Sequence, residues 1–396
     1  MSGVRLEAGF IPLVDAAPLI IARELGYGAE EGLDLTLRAA PSWSTLRDLL
    51  VMGQIEAAHM LAPVPVAMAL GLGGMATRLD ALMVLSVNGD VIGVSTDLAA
   101  KMRANGYHND FSDARAAGKA LIAASETQPR IGVPFPFSMH ADLLYYWLGA
   151  LGMSAPQDLQ IKTVPPPLMA QAMEAGEIDA FCVGAPWGSI AVEDGVGELL
   201  LPGAAIWRFA PEKVLAVRHD WTHSEPDLTR RLMRAVWRAG RWLSDAGNTM
   251  TASEILARPE YLNVSAEVIE RELTGRLVIS PRGELRSVPN YLEFFRGAAT
   301  FPWKSQAAWI ASRLAARTGL DRATAMTTAR DVFRSDLYRR NLRDLGAVLP
   351  GASEKLEGSL THETAVATEN GNLILQPDAF FDAQVFDPYP KNAPKK

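Results

Sequence analysis

Two loops of this chain, each between a predicted strand and a predicted helix, carry the residues best suited to holding a small anion. Residues 132–140 lead into a helix predicted to begin near residue 139, and free backbone N–H groups at a helix start attract a negative ligand. His140 is a further donor there, although a histidine at this position can also cap the helix or face solvent. Trp43 lies in the other loop, where its ring can wall a small ligand or pack on its own lobe. These residue types indicate anion binding.

Residue patterns typical of catalysis are missing from the sequence. It contains no Gly-x-Ser-x-Gly, no phosphate-binding loop ending in Gly-Lys-Ser/Thr, no His-Glu-x-x-His and no paired-cysteine zinc pattern. The only cysteine, Cys182, lies in an apolar run and is predicted to be a small buried hydrophobe. The sequence therefore favours a binding protein over an enzyme, and it predicts neither a cofactor nor a metal.

Length and charge narrow the class further. The 396 residues exceed the roughly 250–300 at which a single core stops growing, so two lobes are expected. The net charge of −7 argues against direct nucleic-acid binding, because phosphate contacts need basic residues. No apolar run approaches the ~18–20 residues that span a membrane. The N-terminal residues enter a strand-like run without the apolar core of an export signal, which predicts a cytoplasmic protein.

A weak repeat divides the chain. Residues 53–57, Gly-Gln-Ile-Glu-Ala, recur at 176–180 as Gly-Glu-Ile-Asp-Ala, and the pair Ala62-Pro63 recurs as Ala185-Pro186. Each copy has a helix ending at Gly, a short apolar strand and an Ala-Pro turn. The repeat predicts two similar α/β lobes with a cleft between them. Two ordinary helix-to-strand turns built from common residues could produce the same pattern.

Hydrophobic periodicity predicts strands alternating with helices in both halves, followed by a mainly helical C-terminal part. The predicted strands are 4–10, 33–37, 57–60, 82–86, 130–133, 159–164, a strand around 181, and 212–217. The predicted helices are 16–26, 45–52, 139–151, 167–175, 228–244, 252–257, 266–272, 305–316 and 322–333. The polar tail beyond residue 349 is predicted to be a surface strap or partly disordered.

Several of these segments together resemble a known family, the nitrate- and bicarbonate-binding solute receptors of ABC transporters. The likeness is carried by Gly-Phe-Ile-Pro-Leu-x-Asp-x-Ala-Pro-Leu at 9–19, Ser-Trp-x-x-x-Arg-Asp at 42–48, Ala-Ala-His-Met-Leu-Ala-Pro at 57–63 and Cys-Val-Gly-x-Pro-Trp at 182–187. The resemblance implies an α/β, two-lobed periplasmic-binding-protein type II fold with the ligand in the interlobe cleft. It implies lobe I from residues 1–93 and 206–300, lobe II from 94–205, and C-terminal helices and a tail from 301–396 packed on the lobes.

The resemblance also implies a binding site for nitrate. Its ligand-binding residues fall on Trp43, Gly89, His140 and Lys213, with Lys213 as the balancing cation. Outer positions of the site fall on Met60, Asp90, Ser138 and Trp187, although Met60 and Trp187 also fit ordinary core packing.

Two residues of this chain differ from the residues that the resemblance leads us to expect. Asp90 stands where glutamine is expected, and Ala185 replaces an acidic residue before Pro-Trp. Because an acidic side chain would repel an anion, we expect the Asp90 side chain to turn away while Gly89 offers its backbone N–H.

A family member without an export signal is similar to the cytoplasmic nitrate/nitrite sensors of the NasS type. Such sensors hold an RNA-binding antiterminator of the ANTAR class, NasT-like, inactive until nitrate or nitrite binds, and so control nitrate assimilation genes. The acidic charge suits a basic partner. The alternative function is the substrate-binding component of a nitrate, nitrite or bicarbonate ABC transporter. An enzyme of the pyrimidine-precursor type shares the fold, but it would need a cluster of cysteines.

Overall fold

The computed structural model describes residues 3–125, 127–154 and 156–389, and it contains two mixed β-sheets flanked by helices. The strands are β1 (Val4–Phe10), β2 (Leu33–Ala39), β3 (Ala57–Leu61), β4 (Leu79–Asn88), β5 (Asp90–Ser95), β6 (Arg130–Val133), β7 (Gln160–Thr163), β8 (Ala180–Gly184), β9 (Gly197–Pro202), β10 (Pro211–Arg218), β11 (Arg276–Val278), β12 (Leu285–Ser287), β13 (Leu292–Glu293), β14 (Thr364–Val366) and β15 (Leu373–Leu375).

The helices follow most of the predicted segments. They are α1 (Ala17–Glu24), α2 (Tyr27–Glu30), α3 (Trp43–Val51), α4 (Pro63–Ala69), α5 (Thr96–Ala104), α6 (Ala114–Ala124), α7 (Met139–Ala150), α8 (Met169–Glu174), α9 (Trp187–Glu193), α10 (His219–Ser224), α11 (Pro226–Leu243), α12 (Thr249–Leu256), α13 (Ala266–Thr274), α14 (Lys304–Thr318), α15 (Arg322–Arg330) and α16 (Ser335–Leu342). Among the described residues no helix is long and apolar enough to cross a membrane.

The two sheets repeat one topology. The first sheet has the order β2-β1-β3-β10-β4-β13 and the second the order β7-β6-β8-β5-β9. Three parallel strands in each sheet are followed by one antiparallel strand, β10 or β5, which pairs with β3 or β8. The two copies of the predicted repeat lie at the start of β3 and of β8. In each copy the strand follows a glycine with positive φ, Gly53 before β3 and Gly176 before β8. The two-lobed α/β fold predicted from the sequence is confirmed.

The chain crosses between the sheets twice. The first crossing is Asn88–Gly89–Asp90, where β4 of one sheet ends and β5 of the other begins. Asn88 and Gly89 both have positive φ, and a Cβ on Gly89 would lie 2.6 Å from Leu292 Cδ1, so this tight passage requires glycine. The second crossing runs from Pro202 at the end of β9 to Pro211 at the start of β10.

The ends of two predicted helices illustrate where the pattern worked and where it did not. The helix predicted at 16–26 has Gly26 as its stop, and in the structure it ends at Glu24 and Gly26 adopts φ +74°. The helix predicted at 322–333 ends at Arg330, because the Val332 carbonyl accepts a hydrogen bond from the backbone N–H of Ala81 in β4. Residues 390–396 of the predicted tail lie outside the described residues.

Aromatic side chains join the C-terminal part to the second crossing. The Trp207 ring lies 4.7 Å from that of Trp309 in α14 and 4.9 Å from that of Phe380 in the tail. Tyr146 of α7 adds its ring 5.2 Å from Phe380. The tail up to residue 389 therefore packs partly into the core.

Trp207→Ala is expected to lower the free energy of unfolding by about 3–5 kcal/mol, because it removes a fully buried indole from this aromatic cluster. Urea denaturation followed by circular dichroism measures the change. Met250→Ala, at a side chain that is 65% exposed, serves as the control and should stay within about 0.5 kcal/mol of the wild type. An equal effect of both substitutions would contradict this packing role.

Candidate functional site

The candidate site lies where the two sheets face each other. In open α/β sheets ligands bind beyond the carboxyl ends of the parallel strands. At that edge of the first sheet β1 and β3 end and β10 begins, and at that edge of the second sheet β6 and β8 end and β5 begins. Side chains from both edges meet in one buried polar cluster.

Lys213 of β10 is the centre of this cluster. Its Nζ lies 2.7 Å from Asp15 Oδ2 and 2.9 Å from Glu212 Oε1. All three side chains are at most 1% exposed. A buried lysine keeps its charge only when carboxylates compensate it, so removal of one partner would leave the other as a costly buried charge.

A strand irregularity lets the neighbours Glu212 and Lys213 reach the same cluster. Successive side chains of a regular strand point to opposite faces of the sheet. The pairing of β10 with β4 shifts register between Pro211 and Lys213 and again between Lys213 and Val214. Such bulges redirect side chains and are common beside functional sites.

Two histidines extend the cluster towards both sheets. His59 Nε2, from β3, lies 2.9 Å from Asp15 Oδ1. His140 Nδ1, from the first turn of α7, lies 3.0 Å from Glu212 Oε1, at an angle too poor for a hydrogen bond. The His140–Glu212 contact therefore joins the second sheet to the first.

Trp43 closes the cluster on one side. It begins α3, whose N-cap Ser42 accepts a hydrogen bond from the Thr45 backbone N–H at 3.2 Å. The indole is 1% exposed, and its ring lies 5.6 Å from Lys213 Nζ. That distance permits a cation–π attraction, and it holds the ring against the charge.

The ion pair sets the charge of Asp15 and Lys213. Burial disfavours the Asp15 carboxylate, but Lys213 and then His59 outweigh burial and lower its pKa to about 2. Burial opposes the charge of Lys213 as well, yet Asp15 and Glu212 raise the lysine pKa above its usual value. Both groups are charged at neutral pH.

The remaining acids of the cluster titrate near neutrality. Burial raises the pKa of Glu212 to about 8, although Lys213 opposes the shift. Burial also raises the pKa of Asp90 to about 6, while the Cys182 thiol and Lys213 oppose the shift. Their protons are thus exchanged in the physiological range.

Both histidines are neutral. Burial, followed by the charge of Lys213, lowers the pKa of His140 well below its usual value. Burial also lowers the pKa of His59, against the attraction of Asp15. A neutral imidazole offers one N–H donor and one acceptor.

Several buried polar atoms of the cluster have no hydrogen-bond partner among the described residues. They include Trp43 Nε1, His59 Nδ1, both ring nitrogens of His140, Asp90 Oδ1 and Glu212 Oε2. Buried polar groups without partners are rare in native proteins, and a bound water, ion or ligand is one way to satisfy them. The described residues contain no group of three or more His, Cys, Asp or Glu placed to hold a metal ion.

The structure brings Trp43, His140 and Lys213 together, and it places Asp90 within the field of Lys213. The Asp90 carboxyl faces Cys182, whose Sγ lies 3.4 Å from Oδ2, and a Cβ on Gly203 would overlap it. Cys182 is buried, as the sequence predicts.

The other predicted positions have structural partners. Ser138 caps α7 by accepting a hydrogen bond from the Ala141 backbone N–H at 3.2 Å, and Met60 is buried opposite Val214 in the first sheet. Trp187 donates its Nε1–H to the Pro12 carbonyl at 2.8 Å. Gly89 lies in the first crossing, where its carbonyl accepts a hydrogen bond from Ala185 N.

Sequence reasoning missed Asp15, His59 and Glu212. It treated Lys213 as the balancing cation for a ligand, whereas in the structure Asp15 already balances this charge. A usable signal was present, because Asp15 and His59 are polar residues inside otherwise apolar segments that carry the family resemblance.

Comparisons with known proteins agree with this fold. A family model described as "NMT1-like family" matches residues 3–257. The nitrate/nitrite binding protein NrtA of Synechococcus elongatus is 32% identical over 404 residues, covering 98% of this chain and 84% of that protein. The crystal structure of the periplasmic nitrate-binding protein NrtA from Synechocystis PCC 6803 matches with a TM-score of 0.83 and 28% identity, over 98% of this chain and 96% of that one.

One relative is much longer than this chain. The nitrate import ATP-binding protein NrtC of Synechocystis is 31% identical over 346 residues, which are 87% of this chain and 50% of NrtC. The chain therefore spans about half the length of that relative.

Lys213→Met is expected to lower the free energy of unfolding at pH 7 by about 3–5 kcal/mol, because it leaves Asp15 as a buried carboxylate without its cation. The lowered pKa of Asp15 contributes stability that is present above the usual carboxyl pKa of about 3.9 and is lost as the pH falls through about 2. The difference between variant and wild type should therefore shrink below about pH 4.

Urea denaturation from pH 7 down to pH 3 measures this difference. Lys119→Met, at an exposed lysine of α6, is the matched control and should change stability by less than about 0.5 kcal/mol. A Lys213→Met deficit that stays the same at every pH would show that Asp15 does not depend on this lysine.

Proposed function

This chain belongs to the NMT1-like family and, within it, to the nitrate-binding receptors, and on that premise we propose that it binds nitrate or nitrite at the Lys213 cluster. It acts as a solute-binding protein and not as an enzyme. The observation that carries the proposal is the group of buried, unpartnered polar atoms around a buried lysine at the facing edges of both sheets.

The chemistry of the cluster suits a small planar anion. Nitrate carries oxygen acceptors and no donor, and Trp43 Nε1–H and a neutral His140 are donors without partners. Lys213 contributes a positive charge within the same buried volume, where the low dielectric strengthens electrostatic attraction. The Trp43 ring excludes water from one side.

Contacts between the lobes support binding by enclosure. The Val14 backbone N–H donates to the Ala185 carbonyl at 2.9 Å, and Trp187 Nε1–H donates to the Pro12 carbonyl at 2.8 Å. These bonds link the segment after β1 to the segment after β8. Ligand entry requires them to open, and the two crossings are the places where the chain can bend.

The biological role that fits best is the substrate-binding component of a nitrate/nitrite ABC transporter. The relatives named as nitrate/nitrite binding proteins support this role, because 84% of one of them is covered at 32% identity. Such a component delivers its anion to a membrane permease, and it therefore needs high affinity with rapid release rather than catalysis.

A cytoplasmic sensor that sequesters an ANTAR-domain antiterminator is our second proposal. The net charge of −7 supports it, because a partner that binds RNA is basic. Ligand and partner would then weaken each other's binding by the same factor. Co-purification with an ANTAR antiterminator of the same genome separates the two roles. Release by nitrate from wild type but not from Trp43→Ala supports the sensor, and a complex that never forms or ignores nitrate contradicts it.

Gly184→Ala tests the location of the binding site. A Cβ at Gly184 would lie 3.3 Å from Leu13 Cδ2, 3.6 Å from Asp15 Oδ2 and 3.8 Å from His140 Nε2, so the methyl group enters the cluster with one tight contact, to the end of the Leu13 side chain. We expect isothermal titration to show nitrate affinity reduced by roughly tenfold or more, a cost of 1–3 kcal/mol for added volume.

Gly149→Ala, at a helical glycine with no atom within 4 Å of the added Cβ, is the matched control and should bind like the wild type. Unchanged affinity of Gly184→Ala would place the ligand elsewhere.

His140→Ala tests whether the neutral imidazole of His140 donates a hydrogen bond to nitrate. We expect nitrate affinity to fall by roughly 10–100-fold, by about the same factor at pH 6 and pH 8, because a neutral imidazole does not titrate in this range. His108→Ala removes an exposed histidine and should have no effect. A loss that is present at pH 6 and absent at pH 8 would mean that His140 binds as a cation.

A further inference from the structure

The buried cluster holds more carboxyl groups than cations. Among the described residues, Lys213 is the one lysine in the cluster. Its positive charge acts on three carboxyl groups, those of Asp15, Glu212 and Asp90. Asp15 alone neutralises the lysine. An entering anion would therefore meet a site without spare positive charge, and repulsion from any ionised second carboxylate in a dry environment is strong.

We infer that nitrate enters this site together with one proton, which the buried carboxyl pair Asp90 and Glu212 holds while the anion is bound. This inference rests on the proposed function and names how that same site is regulated. The proton comes from solvent and is added to a carboxylate oxygen. No bond of nitrate is made or broken, and the complex gains no net charge.

The geometry offers two oxygens for this proton. Asp90 Oδ1 and Glu212 Oε2 are buried and have no hydrogen-bond partner among the described residues. Their sister oxygens are engaged, Asp90 Oδ2 by the Cys182 thiol at 3.4 Å and Glu212 Oε1 by Lys213 at 2.9 Å. A carboxyl protonated on its unengaged oxygen becomes an O–H donor, and nitrate accepts hydrogen bonds.

The groups around the two carboxyls are mostly neutral, and Lys213 is the cation that favours their ionisation. His140 from α7 and His59 from β3 are uncharged, and Cys182 from β8 is a thiol whose pKa burial raises. The phenol of Tyr291, whose pKa burial raises well above its usual value, lies in the field of Asp90. Asp15 and Lys213 supply one charge of each sign.

The pKa values of Asp90 and Glu212 before nitrate binds make the proton uptake measurable. Burial raises the pKa of Asp90 to about 6 and that of Glu212 to about 8. At pH 7 the pair therefore lacks close to one proton, and a nearby anion raises both pKa values further. His140 is a poor alternative acceptor, because both burial and Lys213 oppose its charge.

Isothermal titration with nitrate in buffers of different ionisation enthalpy counts the protons taken up. For the wild type we expect uptake of about one proton per nitrate near pH 7.5, and a dissociation constant that rises by up to about tenfold per pH unit above it. Nitrate that binds with no proton uptake and with affinity independent of pH overturns the inference but leaves the proposed function intact. Absence of nitrate binding at every pH overturns both.

A substitution at Asp90 tests which carboxyl group takes up the proton. Asp90→Asn is permanently neutral, so it should take up fewer protons near pH 7 and should bind nitrate more tightly than the wild type at pH 8. Asp142→Asn is the matched control, because Asp142 is also buried with a pKa raised to about 6 but pairs with Arg317 of α14. Its proton uptake should equal that of the wild type, and an equal loss in both variants would contradict the assignment to Asp90 and Glu212.

Discussion

The ion pair between Lys213 and Asp15 is the interaction on which the site depends. A lysine with no solvent exposure keeps its charge only because a carboxylate lies 2.7 Å away. That requirement fixes the segment after β1 against the start of β10, and through His59 it fixes the end of β3 as well. The ion pair at the centre of the site is thus also what holds its walls in position.

The repeated topology explains why a single cluster receives residues from so many segments. In each sheet the parallel strands end, and the antiparallel strand begins, at the edge that faces the other sheet. Both antiparallel strands follow directly from a crossing, so Asp90 and Lys213 occupy comparable places in the two sheets.

Sequence patterns were sufficient for the fold and for part of the candidate site. The strands β1, β2, β3, β6, β7 and β10 were predicted, and Ser42 and Ser138 cap α3 and α7 where Trp43 and His140 lie. The strands β5 and β9 of the second sheet and the helices α4, α5, α6 and α9 were not predicted. The short helix α16 was missed, because the helix predicted up to Phe333 ran over the break that precedes α16.

The pairing of Asp15 with Lys213 and the place of Glu212 in the cluster could not be derived from the sequence, for a physical reason. Acidic residues contradict a simple charge argument for an anion site, and Asp15 acquires its role only when folding brings it to Lys213 across 198 residues of sequence, 15 to 213. Glu212 enters the cluster through a bulge in β10, a backbone irregularity that residue types do not encode. The long-range pairing and the bulge both come from tertiary structure.

A crystal structure of the protein grown with sodium nitrate tests the central claim most directly. The account predicts a planar anion in the cluster, with an oxygen within about 3 Å of Trp43 Nε1 and another within about 3 Å of a His140 ring nitrogen, the usual length of a hydrogen bond. Nitrate bound elsewhere, with both of these atoms still lacking a partner and the Lys213–Asp15 pair unchanged, would contradict it.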